Sequence, residues 1–157
     1  MRSRYRVVPL TKARAPQAYP LVQGHFPGLS LSAWRAEVAR RLRTLALPSG
    51  VLVVEGEQGY LLGIALYRTE RMAVGGCALA VDCFLALSLV DRRGVATALL
   101  DGLTQAARVA GCREVSAFVR CDRGADARSL PVDPTLAGTL AQAGYVPSGL
   151  VLRKALT

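Results

Sequence analysis

Apolar and polar positions along the chain follow the two periods that distinguish strands from amphipathic helices. Alternating or continuous apolar runs bounded by glycine and proline predict strands, and apolar residues three or four apart predict helices. Read in this way, the sequence predicts strands joined by helices. The predicted strands are Tyr5–Leu10, Val51–Glu55, Tyr60–Tyr67, Cys77–Leu87, Glu114–Val119 and Val146–Leu156, and the predicted helices run from Ser30 or Ser32 to Ala46, from the turn at Asp91 to Ala110, and over Pro134–Ala143.

The segment between the first predicted strand and the first long helix has a mixed pattern. Pro16, Pro20 and Pro27 interrupt it, so Thr11–Pro27 is predicted to form at most broken helical turns. The helix that follows has a serine able to cap its first turn and an apolar stripe along one face. This stripe consists of Trp34, Val38, Leu42 and Leu45.

Residues Leu87–Val119 carry the most informative pattern of the chain: a strand end, a tight basic turn, an amphipathic helix, a glycine and a further strand. Apolar residues on one face of the helix recur at helical spacing. Gly111 follows the helix and can adopt the left-handed conformation that ends one. The apolar face consists of Val95, Leu99, Leu103, Ala106 and Ala110.

The turn that opens this helix is Asp91-Arg92-Arg93-Gly94-Val95-Ala96. A helix N-terminus presents unpaired backbone N–H groups and the positive end of the helix dipole. The glycine lets a phosphate approach the backbone closely, and the two arginines add positive charge. The turn therefore predicts a site for a phosphorylated ligand. The alternative interpretation is an ordinary βα turn with two solvated arginines.

This turn resembles the motif Gln/Arg-x-x-Gly-x-Gly/Ala at the start of the central helix of the GNAT acyltransferases, with Gly94 and Ala96 at its small positions. The order of predicted elements is also similar to that superfamily over most of the chain, as is the glycine-tyrosine pair after the last helix. The resemblance implies an α/β (α+β) fold with a mixed, mostly antiparallel central sheet flanked by helices. It also implies a single acetyltransferase domain over residues 1–157, a length that suits one core.

The same resemblance implies a cofactor, acetyl-CoA. In GNAT proteins the amides of this turn cradle the pyrophosphate of coenzyme A. A backbone N–H at the splayed end of the central strand binds the thioester carbonyl. The expected cofactor-binding residues are Ala86, Leu87 and Ser88 at the strand end, and Arg92, Arg93, Gly94, Val95, Ala96 and Thr97 in the turn and the first helical turn.

Three positions depart from the family pattern: Asp91, Leu140, and Asp133, which stands where the family often has an asparagine at the start of the last helix. Asp91 stands where the motif has Gln or Arg, and its carboxylate repels a pyrophosphate unless Arg92 or Arg93 neutralises it. Leu140 stands where the family has a tyrosine that protonates the departing thiolate, so this role is vacant on the last helix. Ser88 is the residue expected to bind or protonate the thiolate in its place.

Acyl transfer to an amine also requires a base, and Asp82 is the only carboxylate in the predicted central strand. By resemblance to GNAT enzymes that use an acid on this strand, Asp82 is expected to act directly or through water. The alternative is a structural partner for an arginine, because an unpaired carboxylate is costly to bury. His25 is a second base candidate or an exposed loop residue, and Tyr145 is interpreted as a core residue.

The chain is basic, with a formal net charge of +9 carried mostly by scattered arginines. Such a charge attracts nucleic acid, anionic membranes or acidic acceptors. Aromatic residues do not alternate with the arginines in a stripe, so no specific nucleic-acid partner is expected. Asp82 interrupts the longest apolar run, so no membrane partner is expected.

Four cysteines and one histidine lack the paired spacing of a zinc site, so no metal is expected. Cysteines in apolar strand runs are typical of buried thiols in a reducing compartment. The basic N-terminus has no apolar signal core, and the expected localisation is cytoplasmic.

Together these observations favour an acetyl-CoA-dependent N-acetyltransferase that acts on an amine of a small molecule or a peptide. Homodimerisation is left open. One alternative is a GNAT-like domain that binds coenzyme A or another phosphate ligand with little catalysis, which the departures at Asp91 and Leu140 support. The other is a basic nucleic-acid-binding α/β domain, which rests on charge alone.

Overall fold

A five-stranded sheet with helices on both faces is the frame of this computed structural model, which describes residues 4–43, 47–117, 134–148 and 154. A single 3₁₀ turn, Lys12–Arg14, precedes the first α-helix. Within the described residues, the strands are β1 (Arg6–Pro9), β2 (Ser49–Glu55), β3 (Leu61–Arg71), β4 (Cys77–Ala86) and β5 (Glu114–Ala117), and the α-helices are α1 (Ala15–His25), α2 (Leu31–Leu42), α3 (Arg92–Val109) and α4 (Pro134–Gln142).

The strands lie in the sheet in chain order, β1-β2-β3-β4-β5. The pairs from β1 to β4 are antiparallel, and β4 pairs with β5 in parallel. A parallel pair needs a crossover connection, and α3 provides it. The prediction of a mixed, mostly antiparallel sheet flanked by helices is therefore confirmed.

Alternation along β2 divides the core into two layers. Val51 and Val53 face α1 and α2, and Leu52 and Val54 face α3. This is the period of two that a strand buried on both faces requires. Gly63 of β3 explains how closely α3 approaches, because a Cβ at this position would lie 2.9 Å from Cγ1 of Val95.

Strand β4 contains a bulge at Asp82. Leu66 of β3 pairs with Cys83 and Tyr67 pairs with Val81, so that Asp82 is the extra residue on β4. Among the described residues, β5 pairs with β4 only over residues 78–81, before the bulge. In the part of the chain that the structure describes, residues 82–86 therefore have no strand paired on the side of β4 that faces away from β3, and we call this side the open edge.

Helix α1 corrects the prediction for Thr11–Pro27, which was at most broken turns. It runs without interruption from Ala15 to His25. Pro16 lies in the first turn, where the missing N–H would have had no acceptor within the helix, and Pro20 removes one interior hydrogen bond. Tertiary packing offsets that loss, because Ala18 and Val22 are fully buried against the sheet.

The other predicted elements agree with the structure except at their ends. Ser30 caps α2, as its side chain accepts the Ala33 amide, but the helix ends at Leu42 rather than Ala46. Leu42 is partly exposed, and Arg41 is buried instead. Predicted strand residues 146–148 are described without strand structure, and Leu45, Val119 and most of the predicted last strand lie outside the described residues.

Helix α3 and its glycine stop agree with the sequence prediction. Four of the five residues predicted for its apolar face lie in or against the core formed with β2, β3 and β4, and the fifth, Ala110, caps the helix. Gly111 follows with a φ of 72°, in the left-handed region. Within the described part of the chain, no helix has the length and apolarity to cross a membrane.

Candidate functional site

The first turn of α3 is closed by a side chain of its own. Asp91 caps the helix, and its Oδ1 accepts the Gly94 amide at 2.8 Å. The Tyr5 hydroxyl donates to the other carboxylate oxygen, also at 2.8 Å, so that the residue before β1 supports the cap. The Gly94 amide first, and then Tyr5, stabilise the ionised form and hold the pKa of Asp91 below its ordinary value.

This contact occupies the position at which the sequence predicted a phosphate. A Cβ on Gly94 would lie 2.2 Å from Oδ2 of Asp91, which leaves no room between the carboxylate and the backbone. The Val95 amide is also taken, because it donates to the Asp91 carbonyl at 3.2 Å. An anion can reach the Gly94 amide only after the Asp91 carboxylate has moved away.

The two arginines of the turn make their hydrogen bonds away from Asp91. Arg92 donates through Nε to the Ala86 carbonyl at 3.1 Å, which places its guanidinium against the end of β4. Arg93 donates to the side-chain oxygen of Gln142 and so links α3 to α4. Val95 and Ala96 are buried under the turn, and Thr97 is exposed.

Ser88 organises the connection between β4 and α3. Its Oγ accepts the Asp91 amide at 3.0 Å and the Val90 amide at 3.3 Å. Both contacts use lone pairs of the oxygen, so the hydroxyl hydrogen is still available to a further acceptor. Ser88 thus lies between the end of β4 and the first turn of α3, and its expected role towards the thiolate stays a prediction.

The strand-end amides divide between the two edges of β4. The Leu87 amide donates to the Leu62 carbonyl at 2.8 Å, so Leu87 faces β3. Since the N–H groups of an antiparallel strand point alternately to its two edges, the amides of Ala86 and Phe84 face the open edge. The Ala86 carbonyl confirms this direction, because Arg92 reaches it from that side. The Ala86 amide therefore has the orientation needed to donate a hydrogen bond to a thioester carbonyl at the open edge, and the Leu87 amide does not.

Sequence reasoning missed Phe84 and the bulge. The apolar run of β4 indicates a strand but does not show which edge each amide faces. Its one polar residue, Asp82, was the available signal, since an isolated carboxylate in a buried strand is unusual.

A small cavity of about 20 Å³ lies between α3, α4 and the paired strands β4 and β5. A space of this size holds about one water molecule. Leu140 lines it, so the residue at which the sequence analysis noted the missing tyrosine gives this cavity an apolar wall. The cavity wall is formed by Val81, Phe84, Leu100, Leu103, Ala117, Leu136 and Leu140.

Tyr145 packs against the core on the α3 side, in agreement with its interpretation as a core residue. Its hydroxyl oxygen is buried without a hydrogen-bond partner among the described residues. Burial raises the pKa of this phenol, because the charged form would lose its hydration.

Asp82 binds two guanidinium groups. Arg41 donates to Oδ2 at 2.9 Å, and Arg68 pairs with Oδ1. Arg41 is itself buried and also binds Glu37 at 2.6 Å and the Tyr67 carbonyl at 3.1 Å. Each carboxylate oxygen of Asp82 thus binds one guanidinium, and an amine or a water molecule would have to share the carboxylate with both arginines.

His25 lies at the end of α1, exposed, with its ring edge-to-face against Phe26 at 4.8 Å between centroids. It lines a larger cavity of about 560 Å³ between the α1–α2 connection and the sheet. The structure does not bring His25 into contact with Asp82, Ser88 or the α3 turn among the hydrogen bonds and ion pairs of the described residues.

No family model matches the sequence, and no curated protein matches it. Solved structures match its fold. The aminoglycoside N-acetyltransferase AAC(6')-Iy in complex with CoA has a TM-score of 0.76 at 17% identity, covering 97% of this chain and 94% of that chain. The aminoglycoside antibiotic 6'-N-acetyltransferase AAC(6')-Ih from Acinetobacter baumannii has a TM-score of 0.74 at 12% identity, over 98% of both chains. Glucosamine-6-phosphate N-acetyltransferase from Arabidopsis thaliana has a TM-score of 0.72 at 10% identity, over 98% of this chain and 99% of that chain.

Proposed function

We propose that this chain, which has the fold of the GNAT acyltransferases, is an acetyl-CoA-dependent N-acetyltransferase for an amine of a small molecule or a peptide. One observation carries the proposal: the first turn of α3 lies directly against the open edge of β4, joined to it by Arg92 and Ala86. The neighbour AAC(6')-Iy was crystallised with CoA and with a bisubstrate analog in which CoA is joined to an acetylneamine.

The α3 turn is the proposed pyrophosphate site, formed by Arg92, Arg93, Gly94, Val95, Ala96 and Thr97. Its donors are backbone amides at the positive end of the helix dipole, with the two guanidinium groups beside them. Binding begins with the release of the Gly94 amide by Asp91, whose carboxylate then turns towards solvent or stays with Tyr5. The cost of this exchange lowers the affinity for the cofactor.

The open edge of β4 is the proposed site of the reacting thioester. The Ala86 amide faces this edge and can donate to the carbonyl oxygen as negative charge develops on it. The Phe84 amide has the same orientation and is a second candidate for this role. The Leu87 amide is not assigned this role because it already donates to the Leu62 carbonyl.

Proton transfers are assigned to two side chains. Asp82 is the proposed base, acting through water, and Ser88 is the proposed donor to the departing thiolate. The amine nitrogen bonds to the carbonyl carbon, the carbon–sulfur bond breaks, and the proton lost by nitrogen balances the proton gained by sulfur. A coenzyme A thiol is acidic enough to leave slowly without help, so activity is expected to be modest.

A second candidate function is the binding of coenzyme A, or another phosphate ligand, with little catalysis. The pairing of Asp82 with two arginines and the apolar side chain at Leu140 favour it. The two candidates share the α3 site and differ in turnover.

Calorimetry with acetyl-CoA, followed by an assay of thiol release with a panel of amines, tests the proposal. Saturable binding together with acetylation of an amine supports the first candidate, and binding without turnover supports the second. Absence of heat and of a thermal shift at millimolar acetyl-CoA contradicts both.

Replacement of Asp91 by the residue type of the family motif is expected to tighten cofactor binding. Asp91→Gln removes the negative charge that competes with the pyrophosphate for the Gly94 amide, so the dissociation constant of acetyl-CoA should fall at least about tenfold. Tyr5→Phe is the control, because it removes one partner of the carboxylate and leaves its charge in place. Calorimetry measures both. An Asp91→Gln protein that binds no more tightly than the wild type would show that Asp91 does not compete with the cofactor.

A further inference from the structure

The cavity of about 560 Å³ has walls that select for one kind of ligand. Its volume lies within the range of small-molecule sites. Its apolar lining comes from α1, α2, β3 and the loop between the helices, and among the described lining residues only His25 and Glu37 have ionisable side chains. The apolar part consists mainly of Val22, Phe26, Leu29, Trp34 and Leu66.

This cavity adjoins the bulge of β4. Leu66 in its wall pairs with Cys83, the residue after the bulged Asp82. Arg41 also joins the two places, because it binds Glu37 of the cavity at 2.6 Å and Asp82 at 2.9 Å. A ligand in the cavity therefore lies near β4, the strand at which we propose that the thioester reacts, with Arg41 linking the two places.

Charge limits what the cavity can accept. Among the described residues that line it, Glu37 alone carries a carboxylate, and Arg40 and Arg41 already bind it. The hydrogen bond from Arg40 is the main cause that lowers the pKa of Glu37 to about 2. Among the described residues of the lining, a ligand with several ammonium groups would find no uncommitted carboxylate to compensate for its lost hydration.

We infer that the acceptor is a primary amine with a single amino group on an aromatic or branched aliphatic body. Burial of such a body against Phe26, Leu29 and Leu66 supplies the binding free energy, and its one amino group points towards the carboxylate of Glu37 in the lining. A polycationic amino sugar is a poor match to these walls. This inference rests on the proposed function and names the substrate class for it.

The fluorescence of Trp34 tests this inference directly. It is the single tryptophan of the chain, it is 1% exposed, and it lines the cavity. Its fluorescence, excited where phenyl rings do not absorb, should change saturably with 2-phenylethylamine. The concentration at half-change should be at least about tenfold lower than for kanamycin. In the thiol-release assay, kcat/KM should follow the same order.

A pair of matched variants distinguishes the cavity from the rest of the surface. Leu29→Glu places a new carboxylate in the wall. It should reduce or reverse the difference between the half-change concentrations of kanamycin and 2-phenylethylamine. Val74→Glu makes the same kind of change at a residue that is 85% exposed, outside the cavity, and should preserve it.

Tighter binding of kanamycin to the wild type, or no response of Trp34 to either amine, overturns the inference. Calorimetry with acetyl-CoA on the same protein reports separately on the proposed function. A failure of cofactor binding is thereby distinguished from a wrong substrate class.

A second inference rests on two cysteines outside this site. The Sγ atoms of Cys77, at the start of β4, and Cys112, between α3 and β5, are 3.2 Å apart. A disulfide bond is about 2.0 Å long, so closure requires an approach of about 1 Å. Burial raises the pKa of the Cys112 thiol to about 11, so Cys112 is mostly a neutral thiol near neutral pH and reacts slowly with an oxidant.

We propose that Cys77 and Cys112 form an intramolecular disulfide when the protein meets a peroxide. The peroxide oxidises one thiol to a sulfenic acid and releases one water, and the second thiol displaces another water as the S–S bond forms. The product fastens the start of β4 to the start of β5, at the end of their pairing opposite the open edge.

Treatment of the native protein with hydrogen peroxide, followed by intact-mass and peptide analysis, tests this proposal. The expected result is the loss of two hydrogens and a peptide that joins residues 77 and 112. Cys77→Ser should prevent this loss, and Cys83→Ser, the control, should not. A wild type that keeps both hydrogens, or a link that involves Cys83 or Cys121, overturns the proposal.

Discussion

Gly94→Glu is expected to abolish binding of acetyl-CoA. A side chain at this position would meet Asp91, since a Cβ would lie 2.2 Å from Oδ2, and the new carboxylate would stand where the pyrophosphate must bind. The dissociation constant should rise by at least about a hundredfold, beyond the range of calorimetry at millimolar ligand. The thermal shift that acetyl-CoA produces in the wild type should disappear with it.

Two further glycine variants separate the local effect from a general one. Gly138→Glu introduces the same charge on α4 at an exposed glycine where a Cβ would meet nothing within 4 Å, so binding should persist. Gly94→Ala adds the Cβ without the charge and displaces the Asp91 carboxylate from the amide, so its effect should be smaller than that of Gly94→Glu. Undiminished binding by a folded Gly94→Glu protein would place the cofactor elsewhere.

Asp82→Asn is expected to lower kcat/KM by roughly a hundredfold if Asp82 is the base. The amide cannot accept the proton of the amine, although it can keep a hydrogen bond to one of the two arginines. The measurement is the rate of thiol release with saturating acetyl-CoA, with the melting temperature recorded for the same preparation. A loss of turnover without a loss of thermal stability identifies a role in proton transfer.

The opposite result identifies a structural role. If turnover is unchanged and the melting temperature falls, Asp82 holds the bulge by binding Arg41 and Arg68. Glu70→Gln is the matched control, because Glu70 also pairs with Arg68 but is exposed and lies away from the bulge. It should leave both turnover and stability nearly unchanged, as surface ion pairs contribute little. With Asp82 assigned a structural role, His25 becomes the next candidate for a base.

Propensity and tertiary packing disagreed at α1. The three prolines in Thr11–Pro27 favoured broken turns, but the helix is continuous. Pro16 lies in its first turn, and Pro20, inside the helix, costs a single hydrogen bond. Trp34 contributes from the neighbouring helix by donating to the Ala15 carbonyl at 2.7 Å. Such a contact joins residues that no local pattern relates, so the sequence did not indicate it.

Periodicity alone located most of the strands and helices of this protein. The strand runs, the amphipathic face of α3 and its glycine stop could be predicted because burial of one face imposes a fixed spacing on apolar residues. The turn at Gly94 could also be located, since a glycine and two arginines at a helix start are legible in the sequence. These features place the candidate site at the junction of β4 and α3.

The tertiary structure alone decided what the polar groups of that junction bind. Tyr5 reaches Asp91 across 86 residues of sequence, and Asp82 meets Arg41 from α2 and Arg68 from β3. A charged residue has many possible partners in an arginine-rich chain, and no period in the sequence selects one of them. The choice depends on strand register, on the bulge and on helix placement, which form only when the chain has folded.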